Sequence, residues 1–352
     1  MRSLHLVTLN LWHGLSPTHW LRFKTLEPKS RLGQRQQSQV ALLSQLNADV
    51  VFLQEVNPVD ARSEELSEKL NMNRYWARDN AGLKVVGLGP PFNLDAGLTT
   101  LLKKNHVVEW SRSIKLSGEK YNFLGQLGSL QWAESRRALL VSTVSPDFGR
   151  VLWVNLHLHH GPELRASLRE SLENQVSAGL LSANVATEIE ERISVSDERR
   201  KVEIQTLLDR LTLLKSRYSL IVMGGDMNST LGSETIASVL NFGFVPLQDE
   251  EPGQMLTWDG ETNSSNHQLS RNFDSPIMVD DLSFDQKTVD SLKLMLRDHV
   301  MEPRQIDYLW GWSSTGEFGV STSELVGLEI DGQIAPSDHL GLSSYIQWSP
   351  RS

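Results

Sequence analysis

Six apolar runs spread along the chain each carry a polar residue at or next to one end. That recurrence limits the fold more than any local pattern does. The runs are SLHLVTLNLW, DVVFLQEV, VLWVNLHLHH, YSLIVMGGDMNS, QIDYLWGW and SDHLGLSSYIQW. The polar residues are Asn10, Glu55, the pair His157 and His159, Asp226 with Asn228, Asp307, and Asp338 with His339. Short apolar runs of this kind read as buried strands. Ahead of DVVFLQEV, Val40, Leu43 and Leu46 lie on one helical face, so a helix precedes a strand with a carboxylate at its tip. An α/β protein presents polar groups at a sheet edge in this way.

Taken singly, a polar residue at a strand end is most often a cap or a turn former. As a set, carboxylates, carboxamides and imidazoles are the groups that bind a hard cation and move protons. GGDMNS is the strongest local signal. Its two glycines predict a sharp backbone turn after LIVM, with Asp226 and Asn228 pointing into one space. In VNLHLHHG, strand alternation puts Asn155, His157 and His159 on one face and packs Leu156 and Leu158 inside. Two histidines on one face suit zinc binding, proton transfer or plain exposure. With no cysteine and no HExxH helix, structural zinc is the weakest of the three.

The chain of 352 residues is long enough for one large domain or two ordinary ones, and with 39% hydrophobic and 22% charged residues it can bury a sizeable core. A net charge of -9 disfavours a protein held on DNA mainly by a broad basic surface. It leaves room for an enzyme that meets phosphate through metal ions and a few local arginines. Absence of cysteine excludes disulfides, thiolate metal sites and thiol nucleophiles. The opening MRSLHLVTLNLWHG lacks the build of a signal peptide, and no apolar stretch reaches the roughly 18 residues of a spanning helix. A cytoplasmic protein without stable membrane insertion is expected. Residues 161–200 are polar and predict a helical insertion, which runs into an amphipathic helix marked by Ile204, Leu207, Leu208, Leu211 and Leu214. Residues 250–298 read as a long polar loop.

In order and spacing, TLNLW, LQEV, NLHL, GGDMNS, IDYLW and SDHLGL resemble the motifs of the endonuclease/exonuclease/phosphatase superfamily. That group takes in pancreatic-type deoxyribonucleases, abasic-site endonucleases, inositol polyphosphate 5-phosphatases, neutral sphingomyelinases and poly(A) deadenylases. The resemblance runs from Asn10 to His339 and implies a single domain over residues 1–352. It also implies a four-layered α/β sandwich, with two packed mixed β-sheets flanked by helices. The reaction it implies is hydrolysis of a phosphoester with Mg²⁺ or Mn²⁺. In that scheme Glu55 matches the principal metal carboxylate and Asn10 the carboxamide beside it. Asp226 matches the residue that orients or deprotonates the attacking water, and Asn228 the one that holds a phosphate oxygen; both also count among the expected metal ligands. Asp338 points to the metal. His339 matches the histidine at the scissile phosphate, Asp307 the acid that fixes its tautomer, and His157 the histidine that stabilises or protonates at the phosphate. His159 has no universal counterpart.

Two departures weaken transfer of any one substrate. Pancreatic-type deoxyribonucleases carry an Arg two places after the metal Glu, where this chain has Asn57, and Thr99 and Thr100 stand where the family commonly has small residues. The leading expectation is a monomeric Mg²⁺-dependent phosphodiesterase acting on nucleic acid. The alternatives are a phospholipid or phosphoinositide phosphoesterase, and a non-catalytic binding module on the same scaffold.

Overall fold

The computed structural model describes residues 2–19, 22–25, 28–85, 95–118, 120–123, 130–260, 263, 286–328 and 334–350. In chain order it begins with β1 (Arg2–Asn10), a small hairpin β2 (Leu15–His19) and β3 (Arg22–Thr25), and α1 (Lys29–Leu46). Next come β4 (Val50–Val56), α2 (Val59–Leu70), β5 (Met72–Val85), β6 (Asp95–Lys103) and β7 (Val107–Lys115). β8 (Lys120–Phe123), β9 (Leu130–Glu134), β10 (Arg137–Ser145) and β11 (Gly149–His157) follow. Helices α3 (Ala166–Ser177) and α4 (Ala183–Leu214) then lead to β12 (Leu220–Asp226), α5 (Glu234–Phe242) and β13 (Val245–Pro246). The chain closes with α6 (Gln286–Met301), β14 (Asp307–Ser313), β15 (Gly316–Val326) and β16 (Gly341–Pro350).

Two mixed sheets face each other. One runs β15-β16-β1-β4-β6-β5 and is extended by β9 and β8; the other runs β13-β14-β12-β11-β10-β7. Each has one parallel pair, β1 with β4 and β11 with β12. The space between the sheets is filled by Leu6, Phe52 and Leu98 from the first and Val141, Trp153 and Val222 from the second. On the outer face of the first sheet, Val7, Leu9 and Leu53 pack under Leu43 of α1 and Leu66 of α2. On that of the second, Leu152, Val154 and Met223 pack under Leu207 and Leu211 of α4 and Val239 of α5. Burying one such side chain stabilises the fold by about 1.5–3 kcal/mol. The expected four-layered sandwich is present.

The polar stretch carries α3 and the first half of α4, and the second helix does not stop before the amphipathic segment. α4 is a single helix of 32 residues, and its first half packs Ile189 and Ile193 against Leu168 and Leu172 of α3 and Leu292 and Leu296 of α6. This apolar cluster shares no residue with the sandwich cores. α6 also corrects the reading of residues 250–298 as loop. Its Val289, Leu292 and Leu296 form one buried stripe, with Met295 packed beside it. Residues 264–285 of that stretch lie outside the described residues.

The glycines of GGDMNS do not turn the chain; β12 continues through both to Asp226. A Cβ on Gly224 would come within 2.5 Å of Phe52 in the facing sheet. One on Gly225, at φ +153, would sit 1.9 Å from the Leu156 carbonyl oxygen. Both glycines therefore allow close packing at a strand tip, the first between sheets and the second between strands.

Candidate active site

Strand register assembles the first row of the site. His157 at the end of β11 pairs with Asp226 at the end of β12, and Asp226 pairs in turn with Asp307 at the start of β14. Three neighbouring strand tips thus place an imidazole and two carboxylates side by side. The facing sheet supplies Asn10 at the tip of β1, beside Gln54 of β4. The β4–β6 register slips between Leu53 and Val56, and Glu55 there adopts φ 53, a left-handed conformation that costs a non-glycine residue of order 1–3 kcal/mol. The bulge turns the Glu55 carboxylate out of the strand. Trp12 (φ 53) and Asn228 (φ 48) carry the same backbone feature around the site.

Asp338 and His339 arrive on the segment before β16. α1 ties that segment to the end of β1: Gln39 Nε2 donates to the carbonyls of Pro336 (2.8 Å) and Leu11 (3.1 Å). Arg35, buried and stacked 4.8 Å over Trp12, donates to the carbonyls of Leu11 (2.7 Å) and Trp12 (2.8 Å). Residues from both ends of the chain thereby meet at one cleft. His339 Nδ1 lies 2.9 Å from Asp307 Oδ2, its Nε2 lies 3.9 Å from Asp226 Oδ2, and Trp258 stands edge-on to the ring at 5.0 Å. Asn10 Nδ2 donates to the same Asp226 oxygen at 3.1 Å. Asn228 donates its backbone N–H to Asp226 Oδ1 at 2.8 Å and its side-chain amide to Leu158 O at 3.2 Å.

His157 is held from behind. Arg136, only 1% exposed, directs Nη1 to His157 Nδ1 (3.2 Å) and to Asp79 Oδ2 (3.0 Å), and Nη2 to His160 Nδ1 (2.7 Å). A guanidinium has no acceptor, so it must be the donor to Nδ1. The ring proton then sits on Nε2, which faces Asp226 Oδ2 at 3.5 Å and Glu55 Oε1 at 3.9 Å. Burial and the Arg136 charge hold the His157 pKa well below the ordinary histidine value, so the ring is neutral.

Burial works against ionisation of the Glu55 carboxyl. It is outweighed by the His13 and His157 imidazoles and by the His13 N–H, 3.0 Å from Oε2, which hold the pKa well below the usual carboxylate range. Burial and the Asp307 charge push Asp226 up to about 7. Burial, with the Glu55 charge adding to it, raises Asp338 to about 6. His339 moves up to about 10: burial opposes the charge, but Asp307, Asp338 and Asp226 overcome it.

All the residues expected from the sequence are brought to this cleft except His159. The β11 ladder ends at His157, and the next backbone groups are captured elsewhere: Leu158 N–H donates to Asp226 O (3.0 Å) and His159 N–H to the buried Glu203 carboxylate (2.7 Å). His159 lies beyond the end of the strand, and its ring neighbours His160 at 5.2 Å. Asp79, Arg136, Arg35 and Trp258 are neighbours of the site that no motif marks.

Two donor groups can be set against a divalent cation. Asp226, Asp307 and His339 bring ligand-type atoms within 4.8 Å of one another, but His339 Nδ1 is already committed to Asp307. Glu55 and Asp338, with Asn10 and Asp226, form a hard oxygen set in which the Glu55 charge adds to burial in raising the Asp338 pKa. Oxygen donors in excess negative charge suit a cation such as Mg²⁺.

Comparison with known proteins agrees with this geometry. Among solved structures, an endonuclease/exonuclease/phosphatase from Bacteroides vulgatus is 13% identical with a TM-score of 0.57, over 99% of this chain and 100% of that one. Danio rerio TDP2 complexed with single strand DNA product is 14% identical with a TM-score of 0.54, over 98% and 99% of the two chains. Truncated Caenorhabditis elegans TDP2 is 15% identical with a TM-score of 0.51, over 98% and 97%. At these identities the likeness is one of fold. No curated protein matches the chain. The model of the Endonuclease/Exonuclease/phosphatase family matches residues 7–339, and the chain belongs to that family, whose members hydrolyse phosphoester bonds.

Proposed function

We propose that this protein is a Mg²⁺- or Mn²⁺-dependent phosphodiesterase that hydrolyses the backbone of nucleic acid. The observation that carries this reading is the row His157–Asp226–Asp307, in register across three strand tips and completed by the 2.9 Å His339–Asp307 pair. Glu55, Asp338 and Asn10, with Asp226 and Asn228 at the margin, would hold the cation, whose charge neutralises the phosphate and the leaving oxygen. Asp226, which lies 3.5 Å from His157 Nε2 and 3.9 Å from His339 Nε2, takes the proton from the attacking water. His339, kept protonated by Asp307, faces the phosphate with Nε2–H. His157 is a neutral donor from Nε2, because Arg136 occupies Nδ1. In this site it stabilises charge that develops on a phosphate oxygen, and it is not the proton source. Asn228 offers its remaining amide hydrogen to another.

Nucleic acid is favoured over lipid or inositol phosphate by the fold shared with a TDP2 that was solved with single strand DNA product. Among the described residues, no helix is long and apolar enough to cross a membrane. The test is a substrate panel with Mg²⁺: single-stranded DNA, duplex DNA, RNA, sphingomyelin and an inositol polyphosphate. Chelator-sensitive cleavage of a nucleic acid is expected. Turnover confined to sphingomyelin or the inositol phosphate would replace this substrate class with the other.

A further inference from the structure

On the outer face of the second sheet, a recess of about 340 Å³ lies between β7, β10 and the C-terminal end of α4. Four arginines converge on it: Arg112 from β7, Arg150 from β11, Arg210 from α4, and Arg217 from the turn after α4. Among the described residues, Arg210 and Arg217 have no hydrogen-bond or ion-pair partner, and Arg112 has only a stacking contact, 5.6 Å from the Trp110 ring. Glu109 is the one acid at the rim, and it is paired with Arg150 at 2.7 Å. In a protein of net charge -9, such a concentration of unpaired cations is a local reversal of sign. Charges on an edge strand discourage strand pairing, and that accounts for Arg112 alone. Arg210 and Arg217 come from outside the sheet, and their charge is complementary to an anion in the recess.

We infer that this recess is an exosite for single-stranded nucleic acid, which it grips by its phosphates while Trp110 offers a face to a base. The choice of nucleic acid as occupant rests on the function proposed above. The recess is concave and floored by side chains of the second core, whereas a membrane-binding surface needs protruding apolar groups. Guanidiniums beside an aromatic ring are the usual means of holding a single strand without reading its sequence. Reach is sufficient. Arg150 and His157 stand at opposite ends of β11, about 23 Å apart at 3.3 Å per residue. A stacked strand at 3.4 Å per nucleotide spans this with about seven nucleotides.

The test is equilibrium binding of fluorescein-labelled oligo(dT) of 20 nucleotides to the full chain, by anisotropy, with EDTA present to stop turnover. The triple variant R112Q/R210Q/R217Q substitutes exposed side chains only. It should reduce the slope of log affinity against log salt by about two units, at roughly 0.7 per phosphate contact, and weaken binding on the order of tenfold at low salt. Glu109→Gln should move affinity the opposite way. An unchanged slope in the triple variant overturns the exosite, and so does poly-glutamate that competes as well as unlabelled oligo(dT), since that would assign the recess to an acidic protein segment. Cleavage assays on the same oligonucleotide keep the two proposals apart. Arginine-dependent binding without cleavage would leave the exosite standing and remove the nuclease reading. Cleavage with an arginine-independent slope would do the reverse.

Discussion

Two histidines, His339 and His159, have opposite fates, and single substitutions expose the difference. His339 faces Asp226 through Nε2 and is held by Asp307 through Nδ1. His339→Ala should lower kcat on the order of 10²–10⁴-fold, the usual loss for a group that acts on a proton in the transition state. Asp307→Asn should lose part of the same factor, and the double variant little more than His339→Ala, because the pair acts as a unit. His159→Ala should leave kcat within a few-fold, since its backbone is anchored on Glu203 and its ring neighbours His160 beyond the strand tip. Steady-state kinetics of these variants on one phosphodiester decide the matter; an inactive His159→Ala with a normal His339→Ala would reverse the assignment. Arg136→Met tests the rear support instead. It leaves Asp79 buried beside no cation, and the expected cost is about 3–5 kcal/mol in urea unfolding. Legibility divides here as well. Asn10, Glu55, Asp226 and Asp307 were marked in the sequence because each ends an apolar run. Asp79 and Arg136 were not, because they lie 57 residues apart and matter only once paired.

At the scale of the element, the strands that could be read were those covered on both faces. β4 and β12 are buried along nearly their whole length and stand out as continuous apolar runs. β7 and β15 are edge strands with alternating exposure, so their sequences look like loop. α6 was hidden in the same way, since Asp290, Lys293, Arg297 and Asp298 interrupt its apolar residues. The α3–α4–α6 cluster behaves as an annex with its own apolar centre. Replacing residues 166–196 with a short linker should therefore leave the cooperative unfolding of the sandwich intact in calorimetry, and loss of that transition would make the segment part of the core. The annex should also be the acid-sensitive part of the molecule. His299 lies between α6 and the start of the insertion, with Nε2 2.8 Å from Glu163 O, and burial and Arg165 lower its pKa from 6.5 to about 4. The unfolded chain binds the proton first, so stability is full above pH 6.5 and falls as pH drops from 6.5 towards 4. The loss is at most about 3 kcal/mol at 1.36 kcal/mol per unit. His299→Gln should flatten that part of the pH profile in urea titrations between pH 7 and 4.

For the whole molecule, the site is a joint between the two sheets. Asn10 and Glu55 belong to one, His157, Asp226 and Asp307 to the other. A cation held among them should stabilise the entire sandwich rather than one loop. At a hundredfold excess over its Kd, Mg²⁺ should add about 2.7 kcal/mol, visible as a rise in Tm. Glu55→Gln should abolish most of that rise, and a wild-type Tm indifferent to Mg²⁺ up to millimolar levels would argue against a cation at this joint.

Behind that joint sits a carboxamide pair. Gln54 Nε2 donates to Asn155 Oδ1 at 2.9 Å, and Asn155 Nδ2 donates to the carbonyls of Thr99 (2.9 Å) and Leu53 (3.1 Å). The contact is sealed from water and bridges the two sheets, one residue short of Glu55 on β4 and two short of His157 on β11. Apolar surfaces can slide over one another at little cost, whereas directional bonds have one setting. Gln54 and Asn155 act as a dowel between two plates, so that the gap spanned by Glu55 and His157 is fixed by a joint set inside the fold. An insertion or deletion of a single residue in β4 would turn Gln54 away from its socket and reverse the face of every side chain beyond it. The strand could keep its hydrogen bonds to its neighbours, yet the two halves of the cleft would no longer share a frame of reference.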